Sequence, residues 1–239
     1  MSAASATVRR MKRLYRAVVP GFVRDSRAVG YLKARLLGLD WIYDADFYEA
    51  DVEGPAARSA GSISSAIVRD LRPRSVIDVG CGTGALLEAL RDRGCQVFGV
   101  EYAEAALSYC RTRRLEVAKF DLRDARFRPD RRFDVAISME VAEHLPEPVA
   151  DPYVDLLTQL SSTVILTAAQ PGQGGTDHLN EQPRSYWVNK FQARGFEHDA
   201  ALADQWGTAW RAAGDVETCY WRNLMVFRRR PGATAERPT

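Results

Sequence analysis

Between residues 58 and 227, short apolar runs alternate with stretches in which apolar residues recur every three or four positions. The spacing of Ile63, Ile67 and Leu71 predicts one face of a helix, which Pro73 ends. SVIDV (75–79) follows as a short β-branched run and predicts a strand. The alternation then continues. A helix is predicted over Ala85 to Arg93, stopping at Gly94, and a strand at QVFGV (96–100). A second helix over Ala103 to Arg113 leads to strands at LEVAKF (115–120) and FDVAISM (133–139). A helix near 150–160 precedes a fifth strand, STVILTA (162–168), which carries no charge. Strands apolar on both faces and separated by helices predict a parallel sheet covered on both sides. A further helix opens at Pro183 and buries Tyr186 or Trp187 with Phe191. A strand at Phe196, a helix through Trp206 and Trp210, and a final strand CYWRNLMVF (219–227) complete the pattern. The strand–helix–strand ending predicts an antiparallel strand at or near the sheet edge, in an α/β fold of seven strands.

The chain divides into residues 1–57, a basic helical cap segment; 58–228, the main domain; and 229–239, a polar tail expected to be disordered. The cap reads as two helical pieces broken at Pro20-Gly21. After them an aromatic group (Trp41, Tyr43, Phe47 and Tyr48) is expected to pack as a lid or layer, or to line a cleft. Composition narrows the class. With 239 residues, 46% hydrophobic and 27% charged, the chain is neither wholly disordered, collagen-like nor a coiled coil. No run approaches the ~18 apolar residues of a membrane span. Four separated cysteines form no CxxC pair and no zinc pattern, so reduced thiols and a cytoplasmic location are expected. Charge is uneven. Residues 1–39 hold nine Lys/Arg against one acid, Asp25, while the whole chain is only +2. This basic stretch reads as a solvated helical face, as an attractor for an acidic substrate or membrane surface, or as a removable targeting peptide.

The sharpest motif is VIDVGCGTG, Val76 to Gly84, between a predicted strand and helix. Such a place in an open α/β sheet takes nucleotide-like ligands. Gly80, Gly82 and Gly84 permit a tight turn and close ligand approach. The run also satisfies the dinucleotide form GxGxx(G/A), with Glu101 near the position of a ribose-binding acid. Against that reading, Asp78 precedes the loop and Asp121 closes the third strand. These carboxylates suit a cationic ligand better than a pyrophosphate.

DVGCGTG, GVEY (99–102), FDL (120–122) and FDVAISMEVAEHL (133–145), in that order, resemble the class I S-adenosylmethionine-dependent methyltransferases. The resemblance spans roughly residues 60–227 and implies a Rossmann-like sheet with its last strand antiparallel. It also implies S-adenosyl-L-methionine as cofactor. Gly80, Cys81 and Gly82 would pass its methionine part, and Glu101 would accept from both ribose hydroxyls. Tyr102 would lie beside the adenine, with Asp121 and Leu122 at its amino group. Met139 and Glu140 would border the cleft near the sulfonium. Other readings stand beside these. Asp78 either meets the ligand or bonds loop amides, and Asp121 either binds adenine or caps a turn.

A hydroxyl acceptor needs a base near its proton. Of three histidines, His178 lies in GGTDHLNEQP (174–183) at the carboxyl end of the sheet and is the leading candidate. The alternative is a capping loop in which Asn180 or Glu181 satisfies free amides. His144, in EVAEHL, is either catalytic or structural, and His198 is incidental. No metal is expected, although Asp177 with His178 is a weak candidate pair. No (N/D)PP(Y/F) motif and no Pro-Cys nucleophile follow the fourth strand, which disfavours nucleobase methylation. The expectation is therefore O-methylation of a small molecule, a sugar or secondary metabolite. N-methylation, RNA methylation, a nicotinamide-dependent oxidoreductase and a non-catalytic cofactor-binding subunit are the alternatives. A small-molecule substrate is the expected partner, a nucleic acid is disfavoured, and no pattern specifies an oligomeric state.

Overall fold

The computed structural model describes residues 18–20, 43–124 and 131–232. The expected helical pieces on either side of Pro20, Trp41 and the last seven residues lie outside them. A short helix Ala45–Phe47 and a π-turn Tyr48–Val52 lead into α1 (Glu53–Leu71). This helix runs through residues 57 and 58 without a break. It stops at Arg72, which sits in the left-handed region (φ 47°). The following Pro73 disfavours helical geometry there.

The sheet comprises β1 (Ser75–Val79), β2 (Gln96–Glu101), β3 (Val117–Lys119), β4 (Val135–Met139), β5 (Thr163–Thr167), β6 (Phe196–His198) and β7 (Met225–Arg229). Its order is β3-β2-β1-β4-β5-β7-β6. Only β7 is antiparallel to its neighbours. The expected α/β class, strand number and antiparallel last strand are all found. The chain reverses between β1 and β4, so the carboxyl ends of β1, β2 and β4 open onto one crevice.

Alternate strand residues feed two cores. On one face, Ile77, Ala136 and Phe227 pack with Tyr153, Leu157, Trp187 and Phe191. Those partners come from α4 (Ala150–Leu160) and α5 (Arg184–Gln192), which follow α2 (Ala85–Arg91) and α3 (Glu104–Thr112) along the chain. On the other, Val76, Ile137 and Val226 pack with Ile63 and Ile67 of α1 and with Trp206 and Trp210 of α6 (Ala200–Ala213). Burial on both faces is why these strands read as continuous apolar runs. No helix among the described residues is long and apolar enough to cross a membrane.

Three sequence-based bounds need correction. CYWRNLMVF is not one strand: Thr218–Asn223 form a helix, α7, and β7 begins at Met225. Tyr220 and Trp221 lend the run a strand-like composition, but they pack against the Trp206–Trp210 side as helix residues. Second, β7 runs on through Arg229, the first residue of the expected tail. Arg229 donates to the Thr158 carbonyl and Arg228 to Asp199, so both are anchored. Third, β3 is three residues long rather than six. As an edge strand it pairs only with β2, and Leu115 turns instead into a small cluster with Leu87 and Cys110.

Candidate active site

The glycine loop ends β1 and begins α2 (Ala85–Arg91). Gly84 takes φ 79°, and a Cβ there would lie 2.5 Å from Leu115 Cδ1. Only glycine lets the chain turn into the helix at this point. Gly99 serves the loop from below, because a Cβ on it would lie 2.8 Å from Cys81 Sγ.

The loop amides are already engaged. Gly80 N–H and Cys81 N–H donate to the Val100 carbonyl, and Gly84 N–H donates to that of Cys81. Gly82 N–H donates to Glu101 Oε2 at 2.9 Å. A pyrophosphate needs such amides free. The engagement of these four amides, together with the carboxylate facing them, weighs against the dinucleotide reading.

Glu101 closes β2 and is buried. Besides Gly82, its carboxylate accepts from Tyr102 N–H at 2.7 Å and Ala103 N–H at 2.9 Å. Three of its roughly four acceptor sites are therefore filled, leaving room for about one more donor. Burial pushes its carboxyl up from the usual range, and the three N–H donors oppose that rise. The bonding to loop amides that sequence reasoning offered to Asp78 belongs to Glu101. Asp78 is 5% exposed and no hydrogen bond to its side chain is found among the described residues. Burial, with the nearby Glu101 charge, pushes its pKa up to about 7.

That shift has a consequence for stability. The folded-state value is above the ~3.9 of an unfolded aspartate. Asp78 therefore costs nothing below about pH 4, costs progressively more as pH rises through about 7, and costs a constant amount above that. Asp78→Asn is expected to raise unfolding stability by about 1–3 kcal/mol at pH 8 and by about zero at pH 4. Denaturant melts at the two pH values measure this. An equal change at both would show that the buried charge is not the cause.

Asp121 follows β3 and is half-buried. It accepts from Arg123 N–H at 2.9 Å and forms a two-pronged pair with its guanidinium, 2.9 Å from Nε and 2.6 Å from Nη2. Burial pushes Asp121 up, but Arg123 outweighs this and holds it below the usual range. This is the turn-capping arrangement. The Arg123 guanidinium lies 5.7 Å from the centre of the Tyr102 ring.

Glu140, just beyond β4, sits at φ 52°. Its carboxylate accepts from Asn223 Nδ2 at 3.1 Å and Gln173 Nε2 at 3.2 Å. Glu143, one short turn later, is fully buried; the Ala169 N–H lies near its carboxylate, but neither oxygen makes a well-formed hydrogen bond among the described residues. Burial drives its pKa well above the carboxylate range, and Glu140 adds to the effect. His144 is half-buried beside it. Burial, aided by the adjoining His178, pushes its pKa down to about 4. Its Nδ1 lies 3.2 Å from the Asp177 carbonyl oxygen, so Nδ1 carries the proton. The His144 and His178 rings meet edge to face, with centres 5.0 Å apart.

His178 Nδ1 lies 2.9 Å from Glu181 Oε1. Glu181 also accepts from Gly172 N–H at 2.9 Å and Gly174 N–H at 2.8 Å. Glu181 thus satisfies loop amides while gripping the histidine, but it caps no helix: Pro183, at the N-cap of α5, has no side-chain cap bond.

All twelve residues singled out in the sequence (Asp78, Gly80, Cys81, Gly82, Glu101, Tyr102, Asp121, Leu122, Met139, Glu140, His144 and His178) line one cavity of about 660 Å³. Tyr43, Phe47 and Tyr48 line it too and also pack in one cluster with Ala103 and Ala106, so the aromatic group is both a packed layer and a cleft lining. Sequence reasoning missed Glu143, Tyr220 and Cys219, which also line it. Glu143 sits three positions after Glu140 in the same EVAEHL run, and that spacing was the available signal.

Comparison with known proteins agrees with this geometry. Residues 76–160 match the family model described as a methyltransferase domain. A "Ubiquinone biosynthesis O-methyltransferase" of Hahella chejuensis is 28% identical over 170 residues, covering 63% of this chain and 66% of that protein. A protein of the same description from Stutzerimonas stutzeri is 33% identical over 123 residues, covering 48% and 49%. The chain thus spans about half to two-thirds of the length of these curated relatives. Among solved structures, DesVI of Streptomyces venezuelae aligns with a TM-score of 0.58 at 17% identity, covering 78% of this chain and 98% of that one. Magnesium protoporphyrin IX methyltransferase (ChlM) of Synechocystis, with bound SAH, aligns with a TM-score of 0.57 at 17% identity, covering 85% and 99%. At such identities these two structures speak to the fold.

Proposed function

We propose that the chain is a class I S-adenosylmethionine-dependent methyltransferase, which the match over residues 76–160 and the methyltransferase-like fold support, and that it methylates a hydroxyl oxygen of a small molecule. The observation that carries this reading is the shared cavity. It joins a carboxylate-lined cofactor end, at Asp78 and Glu101, to a histidine held by a carboxylate, His178 with Glu181.

The residues present fit the cofactor. Its sulfonium and ammonium groups are cationic, and Asp78, Glu101, Asp121 and Glu140 face the same space. The open side of Gly82, where a Cβ would find nothing nearer than Val52 at 3.8 Å, leaves room beside the loop. Glu101 would take one ribose hydroxyl with its remaining acceptor site, rather than the two implied by the resemblance. Tyr102, Asp121 and Leu122 would border the adenine, and Met139 and Glu140 the methionine side. Bound there, S-adenosylmethionine supplies an electrophilic methyl group.

The protein's own part is proximity, exclusion of water and removal of a proton. With Nδ1 of His178 donating to Glu181, its Nε2 carries the lone pair, which is the form a general base requires. His144 is less suited, since burial holds it neutral and structural. The aromatic lining from Tyr43, Phe47 and Tyr48 favours a flat acceptor, and the curated relatives are named as O-methyltransferases. A phenolic ring or a hydroxylated sugar is the substrate class.

The test is transfer of label from methyl-labelled S-adenosylmethionine to panels of phenols, sugars and amines, with the product bond assigned by mass spectrometry. Label on oxygen is expected. Label on nitrogen alone, or none in any panel or in a metabolite extract, would overturn the reading.

A further inference from the structure

We propose that Glu143, His144 and His178 bind a divalent first-row transition-metal ion at the acceptor end of the cavity. One donor atom from each of the three lies within 4.8 Å of the others. Ligands ~2.1 Å from a common ion sit ~3–4 Å apart, so a small side-chain rotation closes the set.

Three observations point to a ligand rather than to a chance cluster. First, Glu143 is fully buried, and among the described residues neither carboxylate oxygen makes a well-formed hydrogen bond, the nearby Ala169 N–H notwithstanding. A buried polar group is normally hydrogen-bonded, and an orphaned carboxylate is costly enough to call for an explanation. Second, each histidine has Nδ1 directed at an oxygen, the Asp177 carbonyl for His144 and Glu181 Oε1 for His178. That outer arrangement fixes the tautomer with the Nε2 lone pair free, as it does in metal-bound histidines. Third, the two imidazoles meet edge to face beside that same carboxylate, within the wall of the cavity. Two nitrogens and an oxygen suit zinc, manganese, iron(II) or cobalt better than calcium. Glu140 adds negative charge next to Glu143, while Asn223 and Gln173 hold its carboxylate.

The inference goes beyond the methyl-transfer reading and revises one part of it. With an ion bound, His178 spends its Nε2 lone pair on the metal, so its role as base belongs to the metal-free protein. Remaining positions on the ion face the cavity and suit an acceptor hydroxyl or a pair of vicinal hydroxyls. This last consequence rests on the functional reading; the metal site does not.

The test uses Co²⁺ titrated into the chelator-stripped full chain, with no cofactor or acceptor present. Binding is read by visible d–d absorption and by calorimetry. Saturable binding of a single ion per chain is expected. His144→Ala, His178→Ala and Glu143→Gln should each weaken it roughly 10-fold or more. His198→Ala, on β6 away from the cavity, should leave it unchanged. Circular dichroism reads the fold of each variant, and the isosteric Glu143→Gln carries the test should an alanine variant unfold. No saturable binding by the natural chain, or equal affinity in all three variants, would overturn the site. Intact Co²⁺ binding in a chain that transfers no methyl group supports the site and overturns only the functional reading.

Discussion

In the metal-free protein, replacing His178 with alanine is expected to lower turnover of a hydroxyl acceptor by about 10²–10⁴-fold, with S-adenosylhomocysteine binding changed by no more than about twofold. The geometry behind this is a fixed ring. The side chain is 11% exposed, and its Nδ1 lies 2.9 Å from a carboxylate that is itself gripped by two loop amides. Glu181 stays charged because His178 and those amides outweigh the effect of burial and hold its pKa below the usual range. His144 does not replace the lost group. It is half-buried with its proton directed at the Asp177 carbonyl, and desolvation pushes its pKa down to about 4. Both kcat and kcat/KM should fall together, because the interaction removed is made in the transition state. Glu181→Gln, which keeps a weaker bond to the ring, should fall between the natural chain and His178→Ala. Steady-state kinetics with the labelled cofactor, alongside calorimetry, reads both quantities. Unchanged turnover in His178→Ala would take the histidine out of the proton path.

The periodicity of the chain carried the sheet because its central strands are buried on both faces. Val76 and Ile77 point into opposite cores, so their run stays apolar and is recognisable. Legibility fails where tertiary contacts override local preference. Tyr220 and Trp221 look like strand residues, yet α7 is set by its packing against α6 and by the need to bring Asn223 to Glu140. The same distinction holds at the site. The residues that line the cavity were readable because loop and strand tips occur at fixed places in an α/β sheet. Their bonding was not readable, because it crosses long sequence distances. Glu101 rather than Asp78 holds the glycine loop, and Asp121 is committed to Arg123. The orphaned carboxylate of Glu143 shows only once the chain around it is folded. Glu181 stands in between: its neighbours marked it as an acceptor for free amides, but only the structure shows that these are loop amides and joins the acid to His178.

Glu101 is where stability and cofactor binding are most tightly joined, and two substitutions should separate them. Glu101→Ala leaves the N–H groups of Gly82, Tyr102 and Ala103 without their acceptor. Water entering the gap would repair part of the loss, so stability should fall by about 2–4 kcal/mol. Affinity for S-adenosylhomocysteine should fall about 10- to 100-fold, the equivalent of a lost charge-assisted bond. Glu101→Gln behaves differently. Its single acceptor oxygen can keep Tyr102 and Ala103, but its amide then presents donors to the Gly82 N–H. The tie between β2 and the glycine loop is cut while the end of the strand stays capped. Stability should therefore drop by only about 1 kcal/mol, whereas affinity should fall nearly as far as in the alanine variant. Thermal melts and calorimetry on the pair decide between two roles. If Glu101→Gln binds the cofactor product as tightly as the natural chain while Glu101→Ala melts early, the carboxylate is a scaffold for the loop and the ribose must be held by another group.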